Sequence, residues 1–199
     1  MFARLTTVGV AASLLAACGS APPAFTASPQ TYLVAIDQLG SAGFTVESGT
    51  EASSPSDLAR GDAATARRLV NSGLRAAATV SYARVVDFPM SNGPVEVSDT
   101  VERFGSSDGA SVSFAADLEA RDAGHGEVAI STGPLGDEAH ADSLVMTAPD
   151  GVPAVQITLE WRVANVVVVL VVRGRYGGTR LEDALLLAHR QTSMQLGQR

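Results

Sequence analysis

The chain has 199 residues, 46% of them hydrophobic, and a formal net charge of −7, with every basic residue an arginine. That length suits one domain with a core of its own, and the acidic balance argues against nucleic acid as a partner, which requires a basic surface. One cysteine, Cys18, rules out an intramolecular disulfide.

At the N-terminus, Met1-Phe2-Ala3-Arg4 precedes the uncharged run "LTTVGVAASLLAA". A membrane-spanning helix needs about 20 apolar residues, so this shorter run reads as an export signal over residues 1–17. Leu15-Ala16-Ala17-Cys18 then resembles the lipobox of bacterial lipoproteins, an aliphatic residue and two small ones ahead of cysteine. The resemblance implies that the Cys18 sulfur receives a diacylglycerol and that the chain is cut just before it, leaving palmitate-type acyl chains as the anchor. Two acyl chains hold a protein stably to a bilayer. No thiol would then remain for catalysis, redox chemistry or metal binding. Without Arg4 the mature chain carries thirteen arginines against twenty-one carboxylates, a net charge of −8, and has no polybasic patch to assist the lipid. The expected location is the outer face of the plasma membrane. Residues 18–27, rich in proline and small side chains, read as a tether of about 30 Å when extended, and residues 28–199 as a single domain.

Ser28-Pro29 has the form of a helix start, and Tyr32, Leu33, Ile36 and Leu39 share a helical face, predicting a helix over 29–39 ended by Gly40. A second helical region begins at Ser54-Pro55 and again at Asp62, breaks at Gly61 and stops at Gly73. The two stops, "LGSAGF" and "LVNSGL", echo one another as helix-to-strand joints. From Ala77 the period becomes two, and the turn residues "MSNGP" lead into a return strand, Val95 to Phe104, predicting a β-hairpin. Asp108 is placed to cap a helix over Gly109 to Asp122. Strands follow near 127–131 and 138–147, then a hairpin after "PDGVP".

In that hairpin Val155, Ile157, Leu159 and Trp161 face one way, and Gln156, Thr158, Glu160 and Arg162 the other, which reads as a wet face; Trp161 belongs to the core. Its partner, Val166 to Val172, is apolar on both faces and is expected at the centre of the sheet, with Asn165 in the tight turn between them. Thr179 to Glu182 has the order of a capping box, opening a last helix that packs through Leu181, Leu185, Ala188 and Leu196. The fold class is therefore α+β: an antiparallel or mixed sheet of about five to six strands with helices against it, including a C-terminal helix. Over residues 78–197, this order and the phrases "LGDEAHAD" and "EWRVANVVVVLVV" resemble actinobacterial lipoproteins with PsbP/Mog1-like or kinase-sensor-like α+β domains. That resemblance implies a binding or sensing module without catalytic residues.

Three clusters carry chemistry that needs weighing. Gly105-Ser106-Ser107-Asp108-Gly109 matches G-x-S-x-G in a strand, turn, helix context, and Asp137 or Asp150 with His189 would complete a Ser107 hydrolase, His140 being the other available base. The half-polar preceding strand and the lack of an oxyanion loop favour a capping turn instead. Asp137, Glu138, His140 and Asp142 gather metal-type ligands, but the reading preferred is a charged strand edge that discourages aggregation, with no metal. Arg173 and Arg175 beside "YGGT" are the candidate anion-binding residues. No cofactor fingerprint is present. The expected function is a lipid-anchored binding or sensor-like module whose partner is an envelope protein or small ligand; the alternatives are a serine hydrolase using Ser107 and a structural envelope protein.

Overall fold

A computed structural model describes residues 24–40, 42–122, 126–193 and 197. Cys18, His125 and Leu196 lie outside them. The fold is α+β around one sheet of seven antiparallel strands, in the order β1-β2-β3-β7-β6-β5-β4. The strands are β1 Phe44–Ala52, β2 Leu74–Arg84, β3 Glu96–Phe104, β4 Val128–Ile130, β5 Glu138–Thr147, β6 Pro153–Val163 and β7 Val166–Arg175. The helices are α1 Pro55–Leu58, α2 Ala63–Asn71, α3 Ser107–Asp122 and α4 Leu181–Gln191.

β7 holds the centre, as its continuous apolar run requires: Val166, Val168, Leu170 and Val172 point into one core layer and Val167 into the other. One face is covered by the segment from Phe25 to Leu39 and by α4, and there the one tryptophan, Trp161, is fully buried. The opposite face is covered by α1, α2 and α3, through Leu69, Phe104, Ala110 and Phe114. The strand count exceeds the expected five to six. The strand that periodicity did not show is β1, a bulged edge with Val46 half exposed and polar residues on both sides, so it has no alternation to read. The echo of "LGSAGF" and "LVNSGL" is structural, since each leads directly into a strand and those two strands, β1 and β2, pair.

The helix expected over 29–39 is replaced by two 3₁₀ turns, Pro29–Tyr32 and Ile36–Gln38, with extended backbone at Leu33 and Ala35 around Val34. The cause is tertiary. The Val34 amide donates to the Asp99 carboxylate at 2.6 Å and its carbonyl accepts from the Tyr82 hydroxyl at 2.8 Å, partners that outcompete helical ones. Val34 is buried in consequence, and Ile36 is turned to solvent. Packing includes residues ahead of Ser28: Phe25 is buried against Tyr32, and Asn165 accepts from its amide at 2.6 Å while donating to its carbonyl at 3.1 Å.

Ser54 and Asp62 cap α1 and α2 as their spacing implies. Two other caps differ. Ser106, not Asp108, opens α3, its hydroxyl accepting from the Gly109 amide at 3.1 Å. Thr179 donates to the Gly93 carbonyl, and Asp183 accepts from the Arg180 amide at 2.9 Å to start α4.

Candidate functional site

A cluster of ionisable side chains meets on the sheet face beneath α3. β5 contributes Glu138, His140 and Asp142, β6 contributes Glu160 and Arg162, and β3 contributes Glu102. From above, Arg121 of α3 reaches Asp142 at 3.1 Å and Glu160 at 2.9 Å, while Arg68 of α2 reaches Asp117 of α3 at 2.5 Å. Ser111 donates to Glu138, which also pairs with Arg162 at 2.9 Å.

Thr158 and Glu160 are therefore covered, not wet as alternation suggested, and Glu102 is buried with them. Burial pushes the Glu102 carboxyl up to about 8, reinforced by Asp117 and eased by Arg68. Burial likewise raises Glu160 to about 8 in spite of Arg121. Glu102, with no cation in contact, is favoured in its protonated form by that burial, whereas at Glu160 the Arg121 guanidinium 2.9 Å away opposes the upward shift.

This arrangement changes the reading of Glu138, His140 and Asp142. They do share a face, and it lies under α3; β4 pairs only with Ala141 to Ser143, so Asp142 is on an inner stretch of β5 while Glu138 and His140 stay on a stretch that β4 does not cover. His140 sits 3.8 Å from the Asp142 carboxylate. Among the described residues no group of three or more His, Cys, Asp or Glu side chains is placed to hold a metal ion.

Ser107 is the first residue of α3, and His189 belongs to α4 on the opposite face of the sheet, so the sheet stands between them. His140 shares the face with α3 but not the position. Ser111 lies over Glu138, Ser107 is one turn further out, and His140 is two residues inward along β5, which separates them by about 12 Å along the strand. Proton transfer needs about 3 Å, so among the described residues neither histidine pairs with Ser107.

Beyond the end of α3 the same sheet continues into an apolar groove of about 510 Å³. It is walled on one side by Phe88 and Val95 from the β2–β3 connection, on the other by Met146, Ala148 and Pro149 at the β5–β6 turn, and floored by Val155. A second, polar pocket of about 220 Å³ adjoins it, with Ser81, Ser98, Glu47 and Arg60 in its walls. Glu96 and Arg173 line both, and so form the divide between them. Arg173 donates to Gln156 at 2.8 Å and to Glu96 at 3.3 Å and remains about half exposed.

Arg175 points elsewhere, donating to the Ser91 carbonyl at 2.9 Å and to the Asn92 side chain at 3.3 Å, which braces the β2–β3 connection. The two arginines named in the sequence are thus split between one groove and its supporting loop. The groove walls escaped sequence reading because they come from two distant turns. The available signal was "FPM" and "MTAP", apolar side chains inside turn-forming stretches where solvated residues are usual.

No protein-family model matches the chain, and no curated protein matches it. Among solved structures, the extracellular domain of PknH from Mycobacterium tuberculosis has a similar fold, with a TM-score of 0.50 at 13% identity over 85% of this chain and 95% of that one. At that identity the likeness is one of fold. No helix among the described residues is long and apolar enough to cross a membrane.

Proposed function

We propose that the protein is a lipid-anchored, extracytoplasmic binding module of the sensor-domain type, held by acylated Cys18 and taking a ligand in the groove between Phe88 and Met146. The observation that carries this reading is the groove itself. Its volume lies in the range of small-molecule sites, its walls are mostly apolar, and its charged lining is confined to Glu96 and Arg173 at one side and Asp150 on the β5–β6 turn. A structural envelope protein has no use for such a cavity, and the α3 face that a hydrolase would need is closed by ion pairs.

Arg173, paired with Glu96 at the groove's polar boundary, is the residue of this proposal that meets the ligand's polar end, and Arg175 supports it by fixing the loop that carries Phe88. Lipid attachment is tested by Cys18→Ala, which should abolish incorporation of radiolabelled palmitate and release the protein from membranes; retained label refutes the anchor. Binding is tested by a photocrosslinker at Thr147 on the groove rim in intact cells. A discrete adduct that disappears when Ala148→Trp fills the groove supports the site. An unchanged adduct pattern contradicts it.

A further inference from the structure

The groove and the polar pocket lie side by side with the half-exposed Glu96–Arg173 pair between them, and the chain joins the fold at the far end from both. Asn165, in the turn before β7, grips Phe25, whereas Arg173 and Gly174 at the other end of β7 line the groove. Nine residues of extended strand place these ends about 30 Å apart. From Cys18 to Phe25 the chain takes only seven residue steps, which reach about 24 Å at full stretch. A domain held by Cys18 therefore cannot turn the groove end squarely onto its own bilayer, because that would require Phe25 to stand further from the membrane than its tether extends.

The charges define the ligand's other end. Around the polar pocket stand two carboxylates, Glu47 and Glu96, and two guanidinium groups, Arg60 and Arg173. Ser81 and Ser98 supply hydroxyls between them, bonded to each other at 3.1 Å. Arg60 is also one of two non-glycine residues with left-handed backbone among those described, at φ 49°, a conformation kept where the surroundings impose it. A singly charged head would meet one like-charged pair for every opposite one, while a neutral hydrogen-bonding head finds donors and acceptors without that cost.

From the cavity and the tether we infer that the ligand is a net-neutral amphiphile, its apolar segment in the groove and its hydrogen-bonding head over Ser81 and Ser98, taken from the side facing away from the anchoring membrane. The inference rests on the binding-module reading above and specifies its ligand class and its source.

The test uses the full chain with Cys18→Ala, titrated with four amphiphiles of one tail length, each below its micelle concentration: dodecyl maltoside, dodecylphosphocholine, laurate and dodecyltrimethylammonium. The two neutral-headed probes should bind saturably at one per chain. Ala148→Trp and Phe88→Asp should each weaken them at least about tenfold with an unchanged melting temperature. Tightest binding of laurate or of the cationic probe overturns the ligand class, as does binding that neither variant weakens. Failure of all four probes overturns this inference alone if the Thr147 adduct still depends on the open groove, and loss of that adduct removes the binding reading beneath it.

For the source, the lipidated chain on phosphatidylcholine vesicles is labelled through Thr147→Cys or Ala27→Cys. A headgroup-bound quencher should quench the Ala27 position and spare Thr147. Equal quenching of the two positions overturns the membrane-distal placement.

Discussion

Asp99 offers the clearest test of how this fold is held. It is fully buried at the centre of the sheet, where one carboxylate oxygen accepts from the Val34 amide at 2.6 Å and from Gln191 of α4 at 2.8 Å, and the other oxygen has no partner. It thus ties both the N-terminal segment and the C-terminal helix to β3. Burial pushes its carboxyl up from 3.8 to about 7, against the lowering effect of those two bonds. Between these values the native state holds a proton that the unfolded chain has released. Stability from this group is therefore complete below the unfolded value and is lost as pH rises toward and through about 7.

Taking 1.36 kcal/mol for each pH unit over which the two states differ by one proton, the loss from pH 5 to pH 8 is roughly 3 kcal/mol from Asp99 alone. Asp99→Asn retains one acceptor and cannot ionise, so its stability should fall less over the same interval. Urea unfolding followed by fluorescence of buried Trp161, at several pH values, gives both curves. The expected result is a difference between wild type and variant that changes by roughly 3 kcal/mol from pH 5 to pH 8 in the variant's favour. Parallel curves would refute the assignment, as would a difference that moves in the opposite direction.

Replacing Arg121 by methionine removes the guanidinium shared by Asp142 and Glu160 and leaves both carboxyls under α3 without their cation. The expected cost is about 3 kcal/mol in urea unfolding, and a change below about 0.5 kcal/mol would mean the pairs are solvated. Gly109→Ala places a methyl carbon 2.1 Å from the Ser72 carbonyl oxygen, where α3 crosses the end of α2. Backbone must move to admit it, so a loss of about 1–3 kcal/mol is expected by thermal denaturation, and a neutral result would show that α3 does not approach so closely.

Local chemistry and strand alternation were legible wherever a residue's neighbours in sequence are also its neighbours in space. Ser54 and Asp62 cap the helices they precede, the bounds of β5 follow its turn residues, and seven consecutive apolar positions place β7 at the centre. The difficulties arise where a distant element decides. Val34 reads as helical until Asp99, 65 residues away, takes its amide. Glu102 and Glu160 alternate with apolar residues as solvent-facing side chains do, and only the docking of α3, bringing Arg121 and Asp117, turns their face inward. β1 lacks alternation because an exposed, bulged edge needs none. Of the candidate site, Arg173 was visible as a cation near glycines, but its groove was not, since Phe88 and Met146 meet only after five strands have paired.

The proposed function requires a ligand held in the groove between the β2–β3 connection and the β5–β6 turn. Native mass spectrometry of the lipidated protein, extracted gently from its own envelope, tests that most directly. Wild-type protein should carry a fraction with an added discrete mass, beyond the anchor, that Ala148→Trp lacks while retaining the same melting temperature. Identical spectra from the two proteins, with no added mass in either or the same mass in both, would contradict the claim.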